Sequence, residues 1–260
     1  MVGLQGFWLN LDRYEERAFW MRNRLGALCL SDKYQRIAGV EGDHAEAVSR
    51  GLKPGEWGAW QGWIRMLDHA SQSSAAVVHL MEDDVDISDS FLRLVDDDLL
   101  RGLLARQAIV CTDAYVSPRQ CLALLQALKE AERVERQWLD VVEGFRVPCI
   151  NSMLLTPVVA GRLCGQLREI IGQDCQLSPV DIAMSKVSID FCTIVPFVTS
   201  PMLDLAANGS TREHDDSSLS RDALTLLRRS LFCVDHDHEF RLGFADLMVK
   251  LVGVGAVTPY

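Results

Sequence analysis

Apolar and polar residues follow two rhythms along the first third of the chain. Residues 7–11 form a short apolar run, and residues 13–28 repeat apolar positions at helical spacing with charges on one face. These are the patterns of a strand and an amphipathic helix. Residues 34–40 read as a second strand that ends at the turn Glu41-Gly42. A further turn at Lys53-Pro54-Gly55 leads into a helix over 57–70, with Trp60, Trp63, Ile64 and Leu67 on one side. Residues 75–81 form a buried-type strand that runs directly into Glu82-Asp83-Asp84. Strands and helices alternating in this way predict an α/β fold, a Rossmann-like, mostly parallel sheet flanked by helices.

The middle of the chain keeps the same style. Residues 107–115, 146–155 and 191–198 are strand candidates. Ser117-Pro118, Thr156-Pro157 and Ser178-Pro179 each set a hydroxyl side chain before a proline, a signature of helix starts. Helices are expected over 118–139, 157–171 and 179–187. The stretch 206–220 is polar and loop-like. The simplest division is a main domain over 1–205, with a polar loop and helical extension over 206–260 packed on it.

Composition narrows the function. A chain of 260 residues, 48% of them hydrophobic, can bury a sizeable core. The formal net charge of −10, with no Lys/Arg cluster, argues against a nucleic-acid partner. It also means that a phosphate-bearing ligand needs a metal ion or a few placed arginines. The eight cysteines include no C-x-x-C pair and several sit in apolar runs. They are expected to be reduced core residues, and the location cytoplasmic. No apolar run approaches the length of about 18 residues that a membrane span needs, and no basic leader precedes the first strand.

The segment richest in chemistry is Val77-Val78-His79-Leu80-Met81-Glu82-Asp83-Asp84-Val85-Asp86. It sets three carboxylates at the C-terminal edge of a parallel sheet, where ligands of open α/β sheets bind. In an extended segment Glu82 and Asp84 point the same way and can share a site. Crowded carboxylates repel unless a cation relieves them, and hard oxygen ligands suit Mg²⁺ or Mn²⁺. A solvated strand cap is the plain alternative. Asp96-Asp97-Asp98 follows no such strand and reads as a solvated face or helix boundary.

Several pieces, in order, resemble glycosyltransferase family 25, which includes lipopolysaccharide and procollagen galactosyltransferases. Trp8-Leu9-Asn10-Leu11-Asp12-Arg13 with Arg17 is similar to the family's opening strand. Arg36-Ile37-Ala38-Gly39-Val40-Glu41-Gly42 resembles its R-x-x-A-V-D-G stretch. Gly55-Glu56-Trp57-Gly58 resembles its G-E-x-G-C helix entry, Leu80-Met81-Glu82-Asp83-Asp84-Val85 its L-E-D-D-V motif, and Ser178-Pro179-Val180-Asp181 its late P-[VI]-D element. One departure stands out. Where the family continues with Cys, Ser and His, this chain has Ala59, Gly62 and Trp63.

The resemblance implies a GT-A fold, a nucleotide-sugar donor (a UDP-sugar favoured), inversion at the anomeric carbon, and Mn²⁺ or Mg²⁺ as cofactor. Asp84 is then the first choice for metal ligand, with Glu82 and Asp83 contacting the metal or the donor ribose. His236 or His238, from Asp235-His236-Asp237-His238, could complete the metal site from the C-terminal region. Asn10, Arg13, Arg17 and Arg36 lie where a nucleotide could dock, and an arginine could offset phosphate charge. Asp181 is a candidate base for the acceptor hydroxyl, with Asp113 second. The acceptor is a saccharide, a peptide or a small molecule. The other readings are a catalytically silent binding module on the same fold, prompted by the missing Ser-His, and a metal-dependent phosphohydrolase.

Overall fold

The computed structural model describes residues 3–114, 118–141 and 151–202. The chain begins with β1 (Leu4–Asn10), α1 (Glu15–Ala27), β2 (Tyr34–Ala38), α2 (His44–Ser49), α3 (Pro54–Ser71) and β3 (Val77–Glu82). Next come β4 (Val85–Ile87), α4 (Phe91–Val95), α5 (Asp98–Ala105), β5 (Ile109–Cys111) and α6 (Pro118–Arg133). The described part ends with β6 (Leu139–Val141), β7 (Ser152–Leu155), α7 (Pro157–Gln173), α8 (Val180–Met184), β8 (Phe191–Val195) and β9 (Thr199–Pro201).

Seven strands form one mixed sheet in the order β2-β1-β3-β7-β5-β8-β6, and β4 pairs with β9 in a small second sheet. β1 runs parallel to β2 and β3, and β5 runs parallel to β8. β7 is antiparallel to both β3 and β5, and β6 is antiparallel to β8. The α/β class expected from the pattern is therefore observed, with five of the seven strands pointing one way.

Strand parity divides the core into two layers. Phe7, Val78, Leu80, Ile109, Met153 and Leu155 face a layer built from α3, α7 and α8. Trp8, Val77, Met81, Val110 and Leu154 face a layer that includes α1, α4 and α5. Central strands buried on both faces read as continuous apolar runs, which explains Val77-Val78-His79-Leu80-Met81. α7 starts where its proline predicts: Thr156 Oγ1 accepts from the Val159 N–H at 3.3 Å and Pro157 opens the helix. α8 starts one residue later than expected, with Pro179 in the capping position.

Elsewhere the structure corrects the pattern. The helix expected over 118–139 stops at Arg133, Glu135 adopts φ 54°, and Leu139–Val141 becomes an edge strand. β5 is three residues long because Gln107, at φ 60°, closes the end of α5 just before it. Asp97 caps α5, its carboxylate accepting from the Leu99 N–H at 2.7 Å, so the acidic triplet marks a helix boundary. Among the described cysteines, Cys111, Cys164 and Cys192 are buried thiols, whereas Cys29 and Cys175 are exposed rather than in the core. Cys29 sits at φ 56° in the turn that leaves α1. Among the described residues no helix is long and apolar enough to cross a membrane.

A chain of neutral hydrogen bonds crosses the sheet on the α1 side. His79 is fully buried in β3; its Nδ1 lies 2.6 Å from the Tyr34 hydroxyl and its Nε2 lies 2.7 Å from Ser152 Oγ. Thr112 donates to Ser152 Oγ at 2.6 Å and lies 2.8 Å from Thr199 Oγ1. Tyr34 reaches His79 by lying across Gly6 of β1, where a Cβ would come within 2.2 Å of the ring. Burial lowers the His79 imidazole to about 3, so it is held neutral, and raises the Tyr34 phenol well above its ordinary value.

Candidate active site

Parity and a turn give the three consecutive carboxylates different surroundings. Glu82 is the last residue of β3 and shares the parity of Val78 and Leu80, which face α3 and α8. Asp83 and Asp84 form the turn into β4, so the extended alternation expected to align Glu82 with Asp84 ends at Glu82. β1 supplies the neighbour. Its register with β3 sets Leu9 beside Glu82, and so brings Asn10 to the acidic turn.

Asp83 is buried and held at both oxygens. Asn10 Nδ2 donates to its Oδ2 at 2.6 Å, and Arg17 Nη1 donates to its Oδ1 at 2.9 Å. The other end of the Asn10 amide accepts from Arg36 Nε at 2.7 Å, and Arg36 Nη2 also meets the Asn10 carbonyl at 3.1 Å and Asp12 at 2.5 Å. Arg17 Nη1 lies 3.9 Å from Asp84 Oδ2, and its guanidinium stacks over the Tyr14 ring. Burial alone would lower the Arg17 pKa; Asp83 and Asp84 outweigh it and keep the group charged. Arg36, Asn10, Asp83 and Arg17 thus form a braced row across β2, β1, β3 and α1.

Glu82 has a different environment. Its carboxyl is pushed up to about 8, first by burial and then by Asp84, with Asp83 and Asp181 adding to the repulsion. The Trp63 indole opposes this by donating to Glu82 Oε1 at 3.2 Å. Asp181 lies in the first turn of α8, close enough to Glu82 for its charge to be felt, and its Oδ1 accepts from the Ile182 N–H at 2.9 Å. Arg17 is bonded to Asp83 and reaches Asp84.

Of the residues singled out in the sequence, the structure brings together Asn10, Arg17, Arg36, Glu82, Asp83 and Asp84, with Asp181 at the rim. Arg13 is turned away to an exposed ion pair with Glu41 at 2.7 Å. Asp113 is buried just after β5, two strands from β3. His236 and His238 lie outside the described residues. Among the described residues no three His, Cys, Asp or Glu side chains are arranged to hold a metal ion. Glu82 and Asp84 nevertheless suit a hard divalent ion by donor chemistry, because such ions often take only one or two protein carboxylates beside substrate phosphates. Trp63 is the site neighbour that sequence reasoning left as core; its place in the motif where the family carries His was the available signal.

No family model matches the chain, so the resemblance to family 25 stands on its motifs alone. No curated protein matches it either. Two solved structures show similarity over most of its length. One is the galactosyltransferase LgtC in complex with donor and acceptor sugar analogs, at 11% identity and a TM-score of 0.38, covering 91% of this chain and 99% of that one. The other is an active-site mutant of LgtC, at 13% identity and a TM-score of 0.40, covering 85% of this chain and 83% of that one.

Proposed function

We propose that the protein is a metal-dependent glycosyltransferase of the GT-A type. It transfers a sugar from a nucleotide-sugar donor, in the first instance a UDP-hexose, to an acceptor hydroxyl with inversion. The observation that carries this reading is the gathering of Glu82, Asp83 and Asp84 where β3 ends, with Asn10, Arg17 and Arg36 braced beside them. The Glu82 carboxyl is driven up to about 8, first by burial and then by Asp84, and Arg17, 3.9 Å from Asp84, is bonded to Asp83. A divalent ion relieves that repulsion, and the ordered motifs from Asn10 to Asp181 support the same assignment.

In this reading Glu82 and Asp84 would hold the ion, which would supply charge stabilisation to a departing diphosphate. Asn10, at the end of β1, and Arg36, in the middle of β2, border the nucleoside. Arg17 holds Asp83 in place and lies beside Asp84. Asp181, at the mouth of the site on α8, orients the acceptor hydroxyl and takes its proton at Oδ2 as the hydroxyl attacks.

Incubation with UDP-glucose and UDP-galactose in Mn²⁺ tests the proposal. Slow release of UDP from at least one donor is expected, stimulated by added saccharide acceptors and absent in Asp84→Ala. Nucleotide binding without any release from either donor would instead identify a silent binding module.

A further inference from the structure

Helix α3 carries three buried tryptophans at 57, 60 and 63, and their indole N–H groups have different fates. Trp57 Nε1 has no hydrogen-bond partner among the described residues; its ring packs under the Arg50 guanidinium at 4.5 Å. Trp60 Nε1 donates to the Ser178 carbonyl at 2.9 Å, three residues before Asp181. Trp63 Nε1 donates to Glu82 Oε1 at 3.2 Å. An indole offers one donor and no acceptor, so each of the last two bonds has a fixed sense.

The helix that carries them is pressed close to its neighbours. A Cβ at Gly58 would come within 2.3 Å of the Val40 carbonyl oxygen, and one at Gly62 within 2.8 Å of Leu9 Cδ2. The Lys53 N–H is bound by the Glu56 carboxylate at 2.9 Å, and Pro54 opens the first turn. With its N-terminal half seated on β1 and β2 in this way, α3 cannot slide without breaking those contacts. Trp60 and Trp63, three residues apart, project from one face. One touches the segment leading to Asp181 and the other touches Glu82.

We propose that Trp63 is a positioning residue: its indole N–H fixes the Glu82 carboxylate at the edge of β3, while Trp60 on the same helix anchors the segment bearing Asp181, so that one helix gauges the two acidic elements against each other. This deepens the glycosyltransferase reading and rests on it for the purpose of the arrangement. Trp63→Phe keeps most of the apolar packing and removes the donor. Glu82 then turns freely and meets a divalent ion with a poorly placed oxygen. Side chains that orient ligands in this way are commonly worth about 10- to 100-fold in metal affinity.

Two readouts test it on the full chain. In the first, Mn²⁺ alone is titrated and free ion counted by electron paramagnetic resonance for wild type, Trp63→Phe and Trp57→Phe. A weakening of about tenfold or more is expected for Trp63→Phe, and a change within about twofold for Trp57→Phe, which alters the same helix without touching the carboxylates. In the second, indole ¹H–¹⁵N resonances are assigned by Trp→Phe variants, and Glu82→Gln is compared with wild type. The Trp63 resonance should move and the Trp57 resonance should stay.

A Trp63 resonance indifferent to Glu82→Gln overturns the proposal, as does Mn²⁺ affinity in a folded Trp63→Phe variant equal to wild type. Wild-type protein that takes up no Mn²⁺ counts against the metal-dependent function itself, while the resonance comparison still decides whether Trp63 holds Glu82.

Discussion

Strand β3 carries polar side chains in two places. In its middle, His79 sits fully buried between Tyr34 and Ser152, and every described link of that row is a neutral donor matched to a neutral acceptor. At its end, the buried Asp83 is bonded to Asn10 and Arg17, and the Glu82 carboxyl is pushed up to about 8, first by burial and then by Asp84. Burying polar groups costs little when each is paired. The middle of the strand meets that rule with neutral groups alone, and the end meets it with charged ones. The difference separates neutral polar groups that tie neighbouring strands together from ionisable ones gathered where the ligand site is proposed.

The largest effect expected from breaking this contrast is at Arg17. Arg17→Met leaves Asp83 buried with only Asn10, at a cost of about 3 kcal/mol in chemical denaturation. Arg13→Ala, which removes an ion pair exposed on both sides, should cost less than about 1 kcal/mol. Equal losses for the two variants would contradict the braced row.

Gly6→Ala attacks the neutral row without touching any hydrogen-bonding group. A methyl there meets the Tyr34 ring, so the ring must leave His79 or the strands must part, at a cost of about 1–3 kcal/mol. Mn²⁺ and nucleotide binding should survive in the folded fraction.

The pH dependence sharpens the same point. His79 is held neutral at about 3 in the fold, while in the unfolded chain it protonates near its ordinary 6.5. Its contribution is therefore complete above about 6.5 and is lost as pH falls toward 3, by up to about 1.4 kcal/mol per unit. The stability difference between wild type and His79→Gln should shift along that slope; a difference flat from pH 7 to 4 would remove His79 from the account.

The sequence shows some of this directly. Long periodic stretches such as α1, α3 and α7, and the apolar run of β3, are legible because their side chains meet a core on a fixed face. α2 is not, since only Ala47 of its six residues is buried and no apolar stripe forms. The reversed direction of β7 is also hidden, because periodicity carries no strand polarity. Glu82-Asp83-Asp84 is legible as a candidate site by its place after an apolar strand. Its division of labour is not. The contacts from Asn10 and Arg17 to Asp83 span 73 and 66 residues, and only the parallel register of β1 and β3 brings them together. Trp63 reads as core by its spacing, and it is core; only the position of its Nε1 shows the bond to Glu82.

The most direct test of the central claim is isothermal titration with UDP, with and without Mn²⁺, in wild type and in Asp84→Ala. Binding that requires Mn²⁺ and disappears in Asp84→Ala, with Arg13→Ala unaffected, is the predicted result. UDP binding of equal strength without the ion, or unchanged in Asp84→Ala, would contradict the claim that the end of β3 is a metal–nucleotide site.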